Sequence, residues 1–327
     1  MLKYTLKRLA LSVLILLGVS LIIYALIRCM PTDYVTAKVL ETSQYLSEED
    51  VAEKVAAMNK NYGLDTNIFE GYLQWLKKLC LLDFGDSFLY GEPVIDVIKG
   101  SMGVSFVVAL IATIFEFLIA IPLGITAATH QYSARDYIVT VLVMIGISLP
   151  SFFFGQILKD LFAMKLGWFP SSGLVDATVD LDFFGRIVDY IKHLFIPILT
   201  VVILGIGGRM RMTRTNMLEV MSSDYIRTAR SKGLKESTVV YKHAFRNTLI
   251  PLVTSLAGLL PGLFSGAIIT EQVFDLPGIG NIAYKALIVA DIPFIMGYNM
   301  FLALLSVIGV LLADLAYSLV DPRVKLG

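Results

Sequence analysis

The sequence is poor in the residues that most often build metal, redox and catalytic sites. Its 327 residues include two cysteines and three histidines, and these form no CxxC, HExxH or Cys/His cluster. A Gly-Lys dipeptide is also absent, which excludes the G-x-x-x-x-G-K-[ST] loop that holds the phosphates of ATP. We therefore expect no metal, no cofactor and no catalytic residue in this chain, and an ATP-driven activity would need a second polypeptide.

Charged residues are scarce, and long apolar runs take their place. Charged side chains make up 17% of the sequence, hydrophobic side chains 56%, and the mean hydropathy is +0.74. A chain this apolar has lipid as its main solvent and is predicted to be an all-α, polytopic membrane protein. Because a helix needs about 20 residues to cross the hydrocarbon core, we predict six spans, at about 9–27, 104–128, 137–158, 194–213, 249–270 and 295–319.

The charges between the predicted spans indicate which loops lie inside. Residues 28–100 hold seven Lys/Arg and twelve Asp/Glu, and residues 271–294 hold one and three. Residues 209–247 hold nine Lys/Arg and three Asp/Glu, and short positive loops remain in the cytoplasm. With basic residues near both ends and an even number of spans, both termini are predicted to be cytoplasmic. The first apolar run has no small-x-small cleavage site, so we expect it to remain as a span.

The external loop, residues 28–102, leaves two questions open. Cys29 and Cys80 both lie in it, where a disulfide and two free thiols are both chemically allowed. Residues 47–63 have the caps and spacing of an amphipathic helix. A second helix, over 67–80, either lies on the outer membrane surface or packs on the spans.

Four prolines fall within the predicted spans. Each one removes a backbone hydrogen bond, so each is predicted to bend or break its helix. Some of these helices are expected to line a water-accessible path, although proline is common in membrane helices of any function. The four are Pro122, Pro150, Pro251 and Pro261.

Glu116 lies near the middle of the second predicted span, where an unpaired charge is costly. One interpretation is that Glu116, with the polar residues Ser148 and Ser151 beside Pro150, faces a solute path at the interface with a partner subunit. The other is that Glu116 is hydrogen-bonded and holds two helices together. The residues alone favour neither interpretation.

The polar segment after the fourth span, residues 214–248, contains the signals of a short helix. Ser222 or Ser223 is predicted as its N-cap, and Gly233 as its C-terminal stop. The apolar residues Tyr225, Ile226 and Ala229 are predicted to form a small knob. A helix this short needs a partner surface to be stable. That surface is either a docked protein or, if the segment is only a positive cytoplasmic loop, anionic lipid.

This segment resembles the loop by which importer permeases of the ABC class contact their ATPases. DYIRTARSKGL (224–234) is followed by HAFRN and Pro251, and GISLPSFFFG, LGWFPSSG and EQVFDLPGIG occur elsewhere in the same order. Arg227, Thr228 and Ala229 stand where the general motif has Glu-Ala-Ala. That departure is typical of the B-type permeases of dipeptide, oligopeptide and nickel importers, and the resemblance covers nearly the whole chain.

The resemblance implies a type I importer permease with one transmembrane domain, residues 1–327, in a prokaryotic cytoplasmic membrane. It implies a C-type second permease, two ATP-binding cassette subunits and an extracytoplasmic binding protein as partners, and no nucleic acid. The solute would be a peptide or a small solute such as nickel. The residues implied to couple to the ATPase are Asp224, Tyr225, Ile226, Arg227, Thr228, Ala229, Arg230 and Gly233.

An autonomous secondary transporter is the alternative from a different class. Its signature would be ion-coupling charges within the membrane or symmetric broken helices. Glu116 is the one carboxylate near the middle of a predicted span, and it is weak support for that class.

Overall fold

The computed structural model describes residues 2–29, 48–61, 63–176, 178–255 and 258–320. The predicted cap at Ser47 therefore lies outside the described residues. Helices and loops make up the described chain, together with one isolated antiparallel bridge between Asp86 and Pro93. The predicted all-α class is confirmed.

The described chain contains fourteen α-helices. They are α1 (Leu2–Arg28), α2 (Glu48–Asn61), α3 (Ile68–Cys80), α4 (Val94–Thr129), α5 (Ala134–Ser148), α6 (Ser151–Leu158), α7 (Phe183–Met221), α8 (Asp224–Ser231), α9 (Glu236–Thr238), α10 (Arg246–Ser255), α11 (Leu259–Phe264), α12 (Ile268–Val273), α13 (Ile279–Ile288) and α14 (Ile292–Val320). Two π-helical segments, π1 (Lys159–Lys165) and π2 (Val239–Phe245), follow α6 and α9.

Four of these helices are long and apolar enough to cross a membrane. They are α1 from Arg8, α4, α7, and α14 as far as Asp314. A fifth candidate consists of α5 with α6 and π1, and it is bent by 101° at the break between them. The predicted fifth span, 249–270, instead contains the shorter helices α10, α11 and part of α12. The chain is a multi-pass membrane protein by length and composition, and the count of six spans stays a prediction.

The bend between α5 and α6 has a local cause in Pro150. Leu149 is extended, with ψ of 135°, as the residue before a proline prefers. Pro150 then occupies the N-cap of α6, where its missing N–H costs nothing. The predicted break at Pro150 is confirmed, whereas Pro122 lies inside the continuous helix α4.

The chain forms two compact units, and the first comprises residues 1–102 and 282–307. Within it α3 packs on α1, which is the second of the two predicted arrangements for this helix. Trp75 is 3% exposed, and its ring lies 5.7 Å from that of Tyr24. Phe69 stays on the surface. Both Cys29 and Cys80, in contrast, are free and exposed, so the open question is resolved in favour of thiols.

The second unit comprises residues 103–281 and 308–326. Glu271 is the first residue of the segment EQVFDLPGIG in this unit. Its carboxylate is fully buried and accepts three hydrogen bonds. The donors are the Ser105 hydroxyl at 2.6 Å, the Ala267 amide at 3.1 Å and the Asn281 amide at 2.9 Å. A side chain at Gly278 would collide with this carboxylate. Glu271 therefore fixes the loop around it.

Candidate functional site

The short helix α8 begins and ends where the sequence predicts. It follows Ser223, and Gly233 after it has a φ of +74°, the left-handed conformation that favours glycine. The predicted N-cap bond is different, because the Ser223 hydroxyl donates to the Val220 carbonyl at 2.6 Å and caps no α8 amide. The position of the cap is right, and the partner of its hydroxyl is not.

The inner side of α8 packs on the chain itself. Ile226 is fully buried and Ala229 is 7% exposed. The short helix was predicted to need a partner surface, and α4, α7 and π2 of the same chain provide the apolar surface that covers these two residues. A role of Ile226 and Ala229 in coupling to an ATPase stays a prediction. The other buried members of this cluster are Ile125, Ala128, Met217, Val239, Val240 and Ala244.

The outer side of α8 stays accessible. Tyr225 was predicted to share an apolar knob with Ile226 and Ala229, but it is 47% exposed while those two residues are buried. Arg227 lies 3.6 Å from Asp224, and the Thr228 hydroxyl donates to the Asp224 carbonyl at 3.0 Å. A partner could contact the outer face of α8 without unfolding the helix, and this face consists of the exposed residues Asp224, Tyr225, Arg227, Thr228, Arg230 and Gly233.

An ion pair closes the turn around Gly233. Nη2 and Nε of Arg230 donate to the two carboxylate oxygens of Glu236, at 2.6 and 3.2 Å. This bidentate contact lowers the pKa of Glu236 and raises that of Arg230, since each charge stabilises the other. Glu236 was not predicted as a site residue, and its one signal in the sequence is its position just after the glycine turn that ends α8.

The segment after this turn is packed against the end of α7. Val239, Val240 and Ala244 are buried in the same cluster as Ile226. The Thr248 hydroxyl, at the start of α10, donates to the Ala244 carbonyl at 3.1 Å and lies 3.2 Å from Met217 Sδ. Helix α8 thus packs in one cluster with the end of α7 and with π2, which continues into α10.

Within the membrane-spanning helices, Glu116 forms an ion pair with Arg209. Glu116 is 6% exposed, and it accepts from Arg209 Nε at 2.5 Å. The Arg209 guanidinium also lies over the Phe117 ring, 4.4 Å from its centroid. Gly205 provides the space, because a side chain there would collide with the carboxylate. The second interpretation of Glu116, a bonded glutamate joining two helices, describes this contact.

The other two predicted path residues have separate environments. Ser148 is exposed at the end of α5, and its hydroxyl donates to the Met144 carbonyl at 2.7 Å. Ser151 is half-buried in the first turn of α6. Among the described residues, no hydrogen bond joins either serine to Glu116. A path role for the three residues stays a prediction.

A second buried ion pair was not found from the sequence. Asp136, 4% exposed at the start of α5, accepts from Arg214 Nη2 at 2.8 Å and from Nε at 3.0 Å. It ties α5 to the part of α7 that enters the segment 214–248. Arg209 and Arg214 were counted among the positive charges that place residues 209–247 in the cytoplasm. A count of charges does not indicate which of them form ion pairs.

Known proteins resemble this chain along its whole length. Residues 120–326 match the family described as "Binding-protein-dependent transport system inner membrane component", and residues 1–110 match its N-terminal counterpart. The oligopeptide transport system permease protein AppB of Bacillus subtilis is 35% identical, over 99% of this chain and 100% of that protein. The dipeptide transport system permease protein DppB of Alkalihalophilus pseudofirmus is 32% identical, over 99% and 100%.

The fold has a counterpart among solved structures. The structure described as "Inward facing conformations of the MetNI methionine ABC transporter" matches with a TM-score of 0.53 and 18% identity, over 69% of this chain and 97% of that one. At this identity the likeness concerns the fold alone. Neither the relatives nor the fold supports the alternative of a secondary transporter. The two family matches and the full-length relatives show that the chain belongs to the inner-membrane components of binding-protein-dependent transport systems.

Proposed function

We propose that the chain is one permease subunit of an ATP-driven ABC importer for dipeptides or oligopeptides, or for a related small solute such as nickel. The support is the run of full-length relatives described as oligopeptide, dipeptide and putative peptide permeases, at 32–35% identity. In this proposal a second, C-type permease completes the translocation path. Two ATP-binding cassette subunits lie on the cytoplasmic side, where both termini also lie, and an extracytoplasmic protein delivers the solute.

The observation that carries the coupling part of the proposal is the two-sided packing of α8. Its outer face is exposed, while Ile226 and Ala229 are close-packed against α4, α7 and π2. Close-packed interiors transmit displacement because they leave no voids to absorb it. An ATPase that moves the outer face would therefore move the spans attached to α7 and α10.

The experiment replaces an accessible residue of the outer face, so that folding is spared. Tyr225→Asp puts a charge in the proposed contact, and we expect the ATPase subunits to co-purify poorly with the permease while membrane insertion is unchanged. Tyr284→Asp is the matched control, since Tyr284 is 39% exposed in α13, on a segment predicted to lie outside. The control is expected to retain its ATPase subunits.

Uptake completes the test. The complex is purified with its ATPase and binding-protein partners, reconstituted in liposomes, and given a labelled dipeptide with and without ATP. We expect uptake that needs ATP and the binding protein, and a loss of uptake with Tyr225→Asp. Normal ATPase retention and normal uptake in Tyr225→Asp would contradict docking through α8. An absence of peptide uptake in the wild type would contradict the peptide assignment.

A further inference from the structure

A cleft in the second unit contains the cationic partner of Glu116. Its volume is about 200 Å³, and Arg209 lines it together with Thr113, Val201, Gly258 and Gly262. One of the two interpretations of Glu116 placed its carboxylate on the solute path. The structure instead buries Glu116, and it leaves the Arg209 side chain 25% exposed.

The guanidinium of Arg209 has hydrogen-bonding capacity to spare. Its Nε donates to Glu116, and this is the one hydrogen bond of its side chain among the described residues. Guanidinium carries five N–H donors in a planar fork, so the two terminal nitrogens remain for another acceptor. The contacts with Glu116 and Phe117 hold the fork in a fixed orientation.

Glycines form part of the wall of this cleft. A Cβ built on Gly258 or on Gly262 would have no heavy atom within 4 Å, so the cleft is open beside both residues. The wall they form is therefore backbone and apolar carbon, and Arg209 supplies the charge. A carboxylate is the group that matches such a fork, because it accepts two parallel N–H bonds.

We propose that this cleft is a passage site that binds the carboxylate of the transported peptide to Arg209. The proposal rests on the proposed function, and it deepens that function by naming the part of the solute that this permease contacts. The pairing of Arg209 with Glu116 fits the role. An unpaired arginine would be costly within the membrane, and the neutralising partner keeps anion binding weak enough for release, as conduction requires.

The first arm of the test is chemical protection of the cleft. In a Cys29→Ser, Cys80→Ser background, Gly262→Cys is introduced into the complete importer, and its reaction with a water-soluble maleimide is timed during ATP-driven turnover. A dipeptide with a free carboxyl terminus is expected to slow this reaction. Gly100→Cys is the matched control, because Gly100 is also open to a side chain, is exposed and lies outside the cleft. Its labelling is expected to be unaffected by the dipeptide.

The second arm removes the charge without leaving Glu116 unpaired. The double variant Glu116→Gln, Arg209→Gln is expected to lose the protection of Gly262→Cys. Its dipeptide uptake is expected to fall about tenfold, the change that loss of a charge-assisted hydrogen bond causes. Gly262→Leu, which fills the cleft and leaves the ion pair intact, is expected to lower uptake as well while the second permease still co-purifies.

Three results would overturn the inference while the proposed function stands. The first is that the dipeptide is taken up without slowing the labelling of Gly262→Cys. The second is that the dipeptide slows this labelling equally in the wild type and in the double variant that lacks Arg209. The third is that the second permease no longer co-purifies with the double variant. The last would assign the cleft to the interface between subunits. Absence of dipeptide uptake in the wild type would instead reject the proposed function, so the two failures are distinguishable.

Discussion

Gly233 determines where helix α8 ends. It has a φ of +74°, and a Cβ there would meet no atom within 4 Å, so a substitution adds backbone strain without a collision. We expect Gly233→Val to destabilise the end of α8 by about 1–2 kcal/mol. Gly233→Asn is the matched control, because asparagine tolerates the left-handed region. Hydrogen exchange of the amides of α8 measures the difference, and equal exchange in the two variants would contradict the conformational argument.

The Arg230–Glu236 pair makes the same turn sensitive to acid. The pKa of Glu236 is lowered by its bond to Arg230, so its contribution to stability is present at neutral pH. That contribution declines as the pH falls below about 4.3, the ordinary pKa of glutamate, and it is lost below the lowered pKa. Both side chains are substantially exposed, so we expect less than about 1 kcal/mol.

Hydrogen exchange of α8 and the Gly233 turn as a function of pH measures this effect. Glu236→Gln removes the carboxylate, and it should show at neutral pH the lower protection that the wild type reaches in acid, with protection taken relative to the intrinsic amide exchange rate at the same pH. High salt is expected to reduce the difference between the two proteins, because exposed charges are screened. A pH profile that is the same in wild type and variant would reject the pair as a stabilising contact.

The residues of α8 also mark a limit of prediction from sequence. The end at Gly233 was predictable, since it depends on glycine and on charges within a single turn. The destination of Ile226 and Ala229 was not, because an apolar helix side is the same whether another protein or the chain itself covers it. Ile125 and Ala128, from a distant part of the chain, decide that question together with Met217 and residues 239–244.

At the scale of elements, Glu271 orders the loop that carries α12 and the start of α13. Glu271→Gln replaces one carboxylate oxygen, a hydrogen-bond acceptor, with an NH2 group, a donor. That NH2 group would face the hydroxyl or amide groups that donate to Glu271, so at least one of their hydrogen bonds is lost. We expect a cost of about 1–3 kcal/mol, the usual penalty for leaving buried polar groups unpaired. Thermal unfolding of the detergent-purified permease, with the exposed Glu70→Gln as its control, measures this cost. Equal midpoints for the two variants would show that the three bonds contribute nothing.

The spans were predictable to different degrees. Long apolar runs specify α1, α4, α7 and α14 with little ambiguity, because apolar length is what a bilayer selects. The run 249–270 is also apolar, yet its described residues belong to the shorter helices α10, α11 and part of α12. Gly258, Pro261, Gly262 and Gly266 lie in or beside it, and hydropathy ignores the backbone freedom and the missing donor that these residues introduce. The cleft beside Arg209 was hidden for the same reason, since Gly258, Gly262 and Gly266 form part of its wall.

The orientation of the whole molecule depends on charge, and labelling of single cysteines tests it. In a Cys29→Ser, Cys80→Ser background, cysteines at Lys60 and Asp180 are expected to react with an impermeant maleimide in intact cells. Cysteines at Gln131 and Lys235 are expected to react only after the cells are permeabilised. All four positions are exposed in the structure, so failure to react would reflect the side of the membrane and not burial. Labelling of position 235 from outside would invert the topology, and it would put the outer face of α8 out of reach of any cytoplasmic ATPase.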